Sequence, residues 1–343
     1  MNAIRHISLQ DIAARARVGR ATVSLALRNH PSLPLATRQR LQKLAAVMNY
    51  RPNPLVTALM TQIRARKPLK QCETLAFITS FPTRDGWRQN QPVFLGYYAG
   101  ARDRASQMAH RLEEIWGREP GVNGSRLTGI LRTRGIRGLL IAPLPDPCHR
   151  FDLDWSQFAA VTFGPSLHEP DLPRATSDNF GNFLLLVENL ARRGYRRIGL
   201  VLRATADERV RHAYSAIMLY YQSTLVPANR VPALIGEGLT ESHVWRWFKK
   251  HRPDVVVGSP GVMNWLRAWG RKIPRDVGYV DPAWPVGWPW AGINQQADLI
   301  GAAAVDLVVS QLVHNETGVP VHPKIVLIKG AWVDGSTLRP ATR

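Results

Sequence analysis

The chain is short of cysteine, of acid and of unbroken apolar sequence, and each shortage excludes something. Of 343 residues only two are cysteine, Cys72 and Cys148, which offer no metal-ligand spacing and no disulfide framework. No run of 18 uninterrupted apolar residues occurs, and the first residues lack the basic-then-apolar layout of a signal peptide, so a cytoplasmic protein with no membrane partner is expected. Catalytic signatures are missing as well: there is no glycine-rich G-x-G-x-x-G loop, no Walker lysine, no H-E-x-x-H and no G-x-S-x-G. Gly258-Ser259-Pro260-Gly261 lacks the nucleophile spacing and reads as a loop. No catalytic set, cofactor or metal is expected, and the chain is read as a non-enzyme.

Acidic residues number 25 against 45 Lys and Arg, a net charge of +20. The imbalance is concentrated, because residues 1 to 70 carry thirteen Lys/Arg against Asp11 alone. A module of that charge suits phosphate neutralisation, with binding that weakens steeply as salt rises.

What the basic segment does contain is helical punctuation. Ser8 lies three residues before Asp11 and just ahead of Ile12, Ala13 and Ala16, a capping-box-like start to a helix. Val18-Gly19 predicts a tight turn, with Gly19 supplying the unusual backbone conformation. A second helix is expected from about Arg20 to Leu27, with Val23 and Leu27 inward and Arg20, Ala21, Thr22, Ser24 and Arg28 outward. A third, roughly Leu35 to Asn49 with Pro34 in its first turn, repeats apolar residues at Leu41, Leu44, Ala45 and Met48. Asn53-Pro54 then starts a run through Leu55, Val56, Leu59, Met60 and Ile63 that gives way to Arg64, Arg66, Lys67 and Pro68. Two or three turns are too few for a stable isolated helix. The segment is expected to order on a partner, and Leu59 is of the type that wedges between base steps.

The pattern I-x-L-x-D-I-A-x-x-A-x-V-x-R-A-T-V-S, then T-R-x-R-L at 37–41 and N-Y-R-P-N-P-L at 49–55, resembles the lac repressor family of bacterial transcription regulators. The likeness is dense over residues 7–60 and returns near the end in GINQQADLIGAAAVDLVVSQL and KGAWVDGSTLRP. The resemblance implies a homodimer on a near-palindromic double-stranded operator. By position it puts Arg20, Ala21 and Leu25 at base edges, Thr22, Ser24, Arg28, Arg38 and Asn53 on or near phosphate, and Leu59 at the intercalating hinge position. Three residues depart from the family. Gly19 replaces a serine at the head of the second helix, Leu25 stands where an arginine is frequent, and Pro34 replaces a serine cap. Leucine cannot make the bidentate guanine contact of an arginine, although it can touch a thymine methyl.

From Glu73 onward, short β-rich runs alternate with helical ones, the signature of parallel α/β construction. One lobe is read from TLAFIT (74–79), a helix from Val93 to Met108, RLEEIWG, a helix from Ser125 to Arg134, GLLIAPL (138–144) and AAVTFG (159–164). A second follows with a helix at Phe180 to Arg193, RIGLVL (197–202), a helix from Asp207 to Ser223, RVPALI, a helix at Glu241 to His251, DVVVGS (254–259) and GYVD (278–281). The helix from Gln296 to Asn315 and the strand KIVLIKG resemble the return crossings between the lobes of a periplasmic-binding-protein-like fold. The expected class is thus a multidomain α+β protein: residues 1–52 a helix-turn-helix headpiece, 53–72 a hinge helix and linker, and 73–343 a two-lobed, doubly wound effector-binding and dimerisation domain.

Ligands in such folds lie at the carboxyl ends of the strands. Arg209, Arg211, Ser259, Asp281 and Gln295 are the polar candidates there by resemblance. Trp284, with Trp288 and Trp290 in DPAWPVGWPW, offers an aromatic platform for a sugar ring, whereas Trp245, Trp247, Trp265 and Trp269 on predicted helices suit packing. Gly164 and Ser259 stand where relatives often carry carboxylates or amides, and Val280 takes the place of a frequent aspartate, leaving Asp281 shifted by one. The expectation is a transcriptional repressor gated by a small-molecule effector, a sugar or sugar derivative, with a constitutive regulator whose cleft is vestigial or binds protein as the alternative. A carbohydrate-handling enzyme is a remote third.

Overall fold

The computed structural model describes residues 9–27, 29, 31–48, 73–90, 92–145 and 150–340. The expectations for Ser8, Arg28, Asn53, Leu59, both cysteines and the hinge helix lie outside those residues.

Helices α1 (Leu9–Ala16), α2 (Arg20–Leu27) and α3 (Leu35–Val47) close a small bundle around Ile12, Ala13, Val23 and Ala45, with Val18, Leu27, Leu44 and Met48 packed at its margin. Ala26 rather than Leu27 shares the fully buried face of α2 with Val23. The interhelical turn also differs from expectation. Its left-handed residue is Arg17 (φ 54°), and the Val18 amide donates back to the Ala13 carbonyl at 3.1 Å, so α1 ends in a Schellman-like closure that tucks Val18 into the core. Gly19 has ordinary backbone angles and room for a side chain; its carbonyl accepts from the Val23 amide as α2 begins. Pro34 occupies the cap position of α3, one residue earlier than a first-turn proline.

The body consists of two six-stranded sheets. The first lobe holds β1 (Glu73–Thr79), β2 (His110–Trp116), β3 (Gly138–Ile141), β4 (Ala159–Phe163), β5 (Arg174–Ser177) and β11 (Ile325–Ile328) in the order β11-β5-β4-β3-β1-β2. The second holds β6 (Ile198–Leu202), β7 (Leu234–Ile235), β8 (Val255–Gly258), β9 (Gly278–Asp281), β10 (Ala291–Asn294) and β12 (Ala331–Val333) in the order β12-β10-β9-β8-β6-β7. Among the described residues these strands pair in parallel except β10 with β12, which are antiparallel. Central strands such as β3 and β8 are buried throughout, as parallel strands covered on both faces must be.

Helices α4 (Gly86–Asn90), α5 (Pro92–Gln107) and α6 (Gly124–Thr133) belong to the first lobe, and α7 (Asn179–Arg192), α8 (Ala204–Arg209), α9 (Ala213–Ser223), α10 (Glu241–His251) and α11 (Pro260–Ala268) to the second. The long α12 (Ala297–His314) follows the second sheet in sequence yet packs on the first, burying Ile300, Ala304, Val305, Val308 and Val309 against the α5 side of that core. It is also long and apolar enough to cross a membrane by length and composition, a property shared by core helices. Its approach to α5 is close because Gly96, Gly100 and Gly301 lie at the contact: a Cβ on Gly100 would collide with the Asp298 backbone.

The single helix expected over 207–223 is two, α8 and α9. Arg211 and His212 both adopt left-handed angles (φ 52° and 59°), a conformation that costs non-glycine residues and recurs at functional sites. Buried Asp207 holds the break, accepting from Ser215 Oγ at 2.7 Å and from the Ser215 amide at 3.2 Å, with His212 Nδ1 3.0 Å away. Strands β5, β10 and β12 and helix α4 were absent from the sequence expectation, and α11 figured in it only as the helix carrying Trp265; these are short elements whose burial is set by the sheets they complete.

Candidate nucleic-acid interface and interlobe cleft

In the headpiece α2 keeps Val23 and Ala26 inward and leaves Arg20 and Ala21 exposed, with Thr22, Ser24 and Leu25 half-buried. Small side chains flank one guanidinium on the accessible surface of this helix, a shape that permits close approach to a groove. Arg38 behaves otherwise. Its Nη1 donates to the Asn29 carbonyl at 3.0 Å and to Asn29 Oδ1 at 2.9 Å, fixing the left-handed residue just past the end of α2. Gln42 Nε2 adds a bond to the Ala26 carbonyl at 2.9 Å. The third helix thereby sets the angle at which the second is presented.

The cleft is located by one side chain. Arg209, ending α8 beyond the carboxyl end of β6, donates to the carbonyls of Leu144 (2.9 Å) and Pro145 (2.8 Å), which lie beyond the carboxyl end of β3. The carboxyl ends of the two sheets therefore face each other. Tyr97 of α5 lies close enough to Arg209 for the cation to favour its phenolate, although burial prevails and raises the phenol pKa; its ring stacks on Phe163 at 5.4 Å. From the other lobe Tyr214 stacks on Phe183 at 4.8 Å, and burial raises its pKa with Asp281 and Tyr97 adding to the effect.

Asp281, the last residue of β9, is 4% exposed and accepts from the Ala283 amide at 2.9 Å. Burial raises its pKa to about 6, against the opposing influence of that amide and of the Trp290 indole. The indole falls short of hydrogen-bond geometry, so Trp290 Nε1 remains buried without a partner, as does Thr79 Oγ1 at the carboxyl end of β1. Gln295 Nε2 reaches Tyr214 Oη at 3.4 Å and the Pro282 carbonyl at 3.5 Å.

Of the six residues expected around an effector, the fold thus associates Arg209, Asp281 and Gln295 with a tyrosine from each lobe. Arg211 and Ser259 are exposed and join no hydrogen bond in this cluster. Trp284 packs beside Met263, Tyr279 and Trp290, with its Nε1 donating to the Trp288 carbonyl at 3.2 Å, while Trp288 and Trp290 stack on one another at 4.5 Å. The tryptophan loop is in large part self-packed. Trp245, Trp247, Trp265 and Trp269 belong to the α10–α11 core, as expected. Tyr97 and Tyr214 escaped the sequence reading, because a tyrosine on an amphipathic helix carries no spacing signal distinguishing a cleft from a core.

A helix-turn-helix headpiece followed by two crossed α/β lobes around a polar cleft defines a DNA-binding protein with a ligand-type body. The comparisons agree at both ends. The family described as bacterial regulatory proteins, lacI family, matches residues 8–53, and the periplasmic binding protein-like domain matches residues 187–338. The HTH-type transcriptional regulator CelR of Thermobifida fusca is 27% identical over 342 residues, covering 92% of this chain and 95% of that protein. Among solved structures, a transcriptional regulator CelR–cellobiose complex superposes with a TM-score of 0.57 at 20% identity (97% of this chain, 100% of that one). The lac repressor dimer bound to operator and the anti-inducer ONPF gives 0.54 at 17% identity (97% and 99%). The headpiece thus matches the lacI family of bacterial regulatory proteins and much of the body a periplasmic binding protein-like domain, so the chain is similar to the lac repressor (LacI/GalR) family and is a DNA-binding transcriptional regulator.

Proposed function

We propose that this regulator is a cytoplasmic homodimeric repressor whose hold on a near-palindromic operator is set by a small carbohydrate bound between its lobes. The observation that carries the effector reading is the convergence of Arg209, Asp281 and Gln295 with Tyr97 and Tyr214 where the carboxyl ends of both sheets meet. A carboxylate, a guanidinium, an amide and aromatic rings are the groups that hold sugar hydroxyls and apolar ring faces. The CelR structure with cellobiose supports the ligand class.

On this reading residues 1–52 form the headpiece, 53–72 the hinge and linker, and 73–343 the effector and dimerisation domain. Arg20, Ala21 and Leu25 read base edges; Thr22, Ser24, Arg28 and Asn53 contact phosphate; Leu59 enters the minor groove. Arg38 acts on DNA through Asn29 and the end of α2. Arg211, Ser259 and Trp284 belong to the rim of the effector site.

The test is calorimetric titration of the full chain with cellobiose and a panel of mono- and disaccharides, paired with selection of bound genomic fragments in the presence and absence of each sugar. Enrichment of a palindromic site whose occupancy responds to a sugar is the expected result. Enrichment without response to any sugar would favour a constitutive regulator, and turnover of a glycoside would reinstate an enzyme.

A further inference from the structure

With the carboxyl ends of both sheets turned toward the cleft, their amino ends form the two opposite poles of the body. The first-lobe pole is where β1 begins at Glu73, directly after the hinge segment. The second-lobe pole, at the starts of β6, β8 and β9, faces away from it and is crowded with cations.

Arg196 and Arg197 enter β6, and their backbone amides bind Asp254 at 2.8 and 3.0 Å as β8 begins beside them. The Arg197 guanidinium ties into the same corner through the Arg252 carbonyl (3.2 Å) and the carbonyls of His251 and Ala228. Lys250 and Arg252 at the end of α10 and Arg230 after Ala228 are exposed around it. Arg275 leads into β9, and Arg339 lies over the Tyr195 ring at 5.1 Å with its amide on the tyrosine hydroxyl. The carboxylates here do not balance this charge: Asp254 is held by two backbone amides, and Asp276 by the Lys272 amide and the Arg275 guanidinium. The positive field is felt locally, since His251 is pushed below its ordinary pKa, first by burial and then by Lys250 and Arg197. The surface continues along α10, where Lys249 and Arg271 lie over Trp245 at 5.0 and 5.9 Å.

We propose that this pole is a second DNA-binding surface, which takes the phosphate backbone of a duplex other than the one gripped by the headpiece. The case for a duplex rests on complementarity. The named exposed groups are cationic, and the exposed large apolar side chain beside them, Val226 just before Ala228, is a single residue, too little to anchor a protein interface or enter a lipid surface. They sit on strand starts and helix ends whose backbones are mutually hydrogen-bonded, so the charge is held on a rigid base. A regulator bound to its operator is also surrounded by flanking DNA at high effective concentration, which a pole at the far end of the body can reach by bending of the DNA. These cations are carried on strand starts and helix ends rather than along one helix that could enter a groove, so binding there is through phosphate, sequence-independent and steeply salt-dependent.

The test uses the full chain, beads carrying a 40-bp mixed-sequence duplex, and a fluorescent duplex of the same length added second. The protein captures the fluorescent duplex on loaded beads, while the variant Arg196→Gln/Lys250→Gln/Arg252→Asn binds the first duplex within twofold of wild type and captures the second at least tenfold less. The logarithmic salt slope of the second event falls by about 2 to 3 for three lost phosphate contacts. Asn is chosen at 252 because that residue has left-handed angles (φ 44°), which Asn tolerates. Undiminished capture by the variant would assign bridging to the two headpieces of a dimer and overturn the proposal, as would preferential capture of single-stranded RNA of equal charge. An independent reading on unmodified protein is amine labelling: Lys250 becomes protected only as DNA is added beyond saturation of the first site, and unchanged reactivity there refutes the surface. Retention of the first duplex reports on the headpiece separately, so failure of the pole and failure of the regulator reading give different results.

Discussion

Replacing Asp281 with Asn separates the cost of the cleft from its use. Burial raises the Asp281 carboxyl from 3.8 to about 6, so between those values the folded chain keeps a proton that the unfolded chain releases. Stability therefore falls as pH rises from about 4 to 6 and then levels, with the penalty fully present at neutral pH. At about 1.4 kcal/mol for each tenfold change in proton affinity, an ionised Asp281 costs the fold about 3 kcal/mol at pH 7.5 and about 1 kcal/mol at pH 4.5. An asparagine retains an oxygen for the Ala283 amide and removes the titration. Asp281→Asn is accordingly expected to gain about 3 kcal/mol at pH 7.5, or about 4 °C for a chain of this length unfolding as one unit. The gain shrinks to about a third at pH 4.5. Scanning calorimetry of both proteins at the two pH values reads the difference directly. An identical stability difference at both pH values would refute burial of a titrating carboxylate, whatever its sign. The same variant should lose sugar binding, the trade expected where a destabilising group is kept for function.

Cellobiose affinity in the unmodified protein should rise between pH 5 and 7 and flatten above, because hydroxyl donors favour ionised Asp281; a flat titration profile removes the carboxylate from the ligand contact. Arg209→Gln deletes charged bonds to Leu144 and Pro145 carbonyls, each of the kind worth about 1.5–3 kcal/mol, so the lobes should separate and small-angle scattering should show a larger radius of gyration. Unchanged scattering would mean that another contact holds the cleft closed. Gly100→Ala drives a Cβ into the Asp298 backbone and should cost about 1–3 kcal/mol or more, whereas Gly129→Ala, open to solvent on α6, should gain up to about 1 kcal/mol; equal effects on thermal unfolding would contradict the close α5–α12 approach. Arg20→Ala should weaken specific binding by tenfold or more but nonspecific binding less than threefold in competition gel shifts, and equal losses would reduce it to a phosphate contact.

The parts of the molecule legible in the sequence are those where one local rule dominates. Strands β1 and β8 and helices α5, α10 and α12 were anticipated to within about two residues, because long apolar runs or clear periodicity leave little choice. Arg17 illustrates the opposite case: Gly19 is the residue that tolerates a left-handed turn most easily, but the position requiring one is fixed by where α1 runs out of core, two residues earlier. The break at Arg211 was likewise invisible, since nothing in YSAIMLYY or ADERV signals an interruption, and it depends on Asp207 reaching Ser215 and His212 in three dimensions. At the cleft, Arg209 and Asp281 were named from the sequence, whereas Tyr97 and Tyr214 were not and the aromatic candidate that was named, Trp284, packs within its own loop. A charge near a strand end stands out against an apolar background, whereas Tyr97 and Tyr214 differ from core tyrosines only through an arginine and a glutamine that arrive from elsewhere in the chain.

The joint between the lobes explains how such a cleft can be felt outside it. Three segments cross from one lobe to the other, and each is tied to another. Asn182, on the helix after the first crossing, donates to Ser177 Oγ at 2.8 Å and accepts from the Gly330 amide in the third at 2.6 Å; Gln296 in the second donates to the Lys329 carbonyl at 2.9 Å. A side chain on Gly330 would press on the Asn294 carbonyl, so this spacing has no slack. Segments bound in this way cannot bend singly, so a change in lobe angle has to move all of them together. Gln295, the cleft amide that touches Tyr214, is the immediate neighbour of Gln296, and α12 begins one residue later on its way back to the first lobe. A ligand that repositions Gln295 would therefore act on the joint and on the helix packed against α5, in the lobe whose first strand, β1, begins the body.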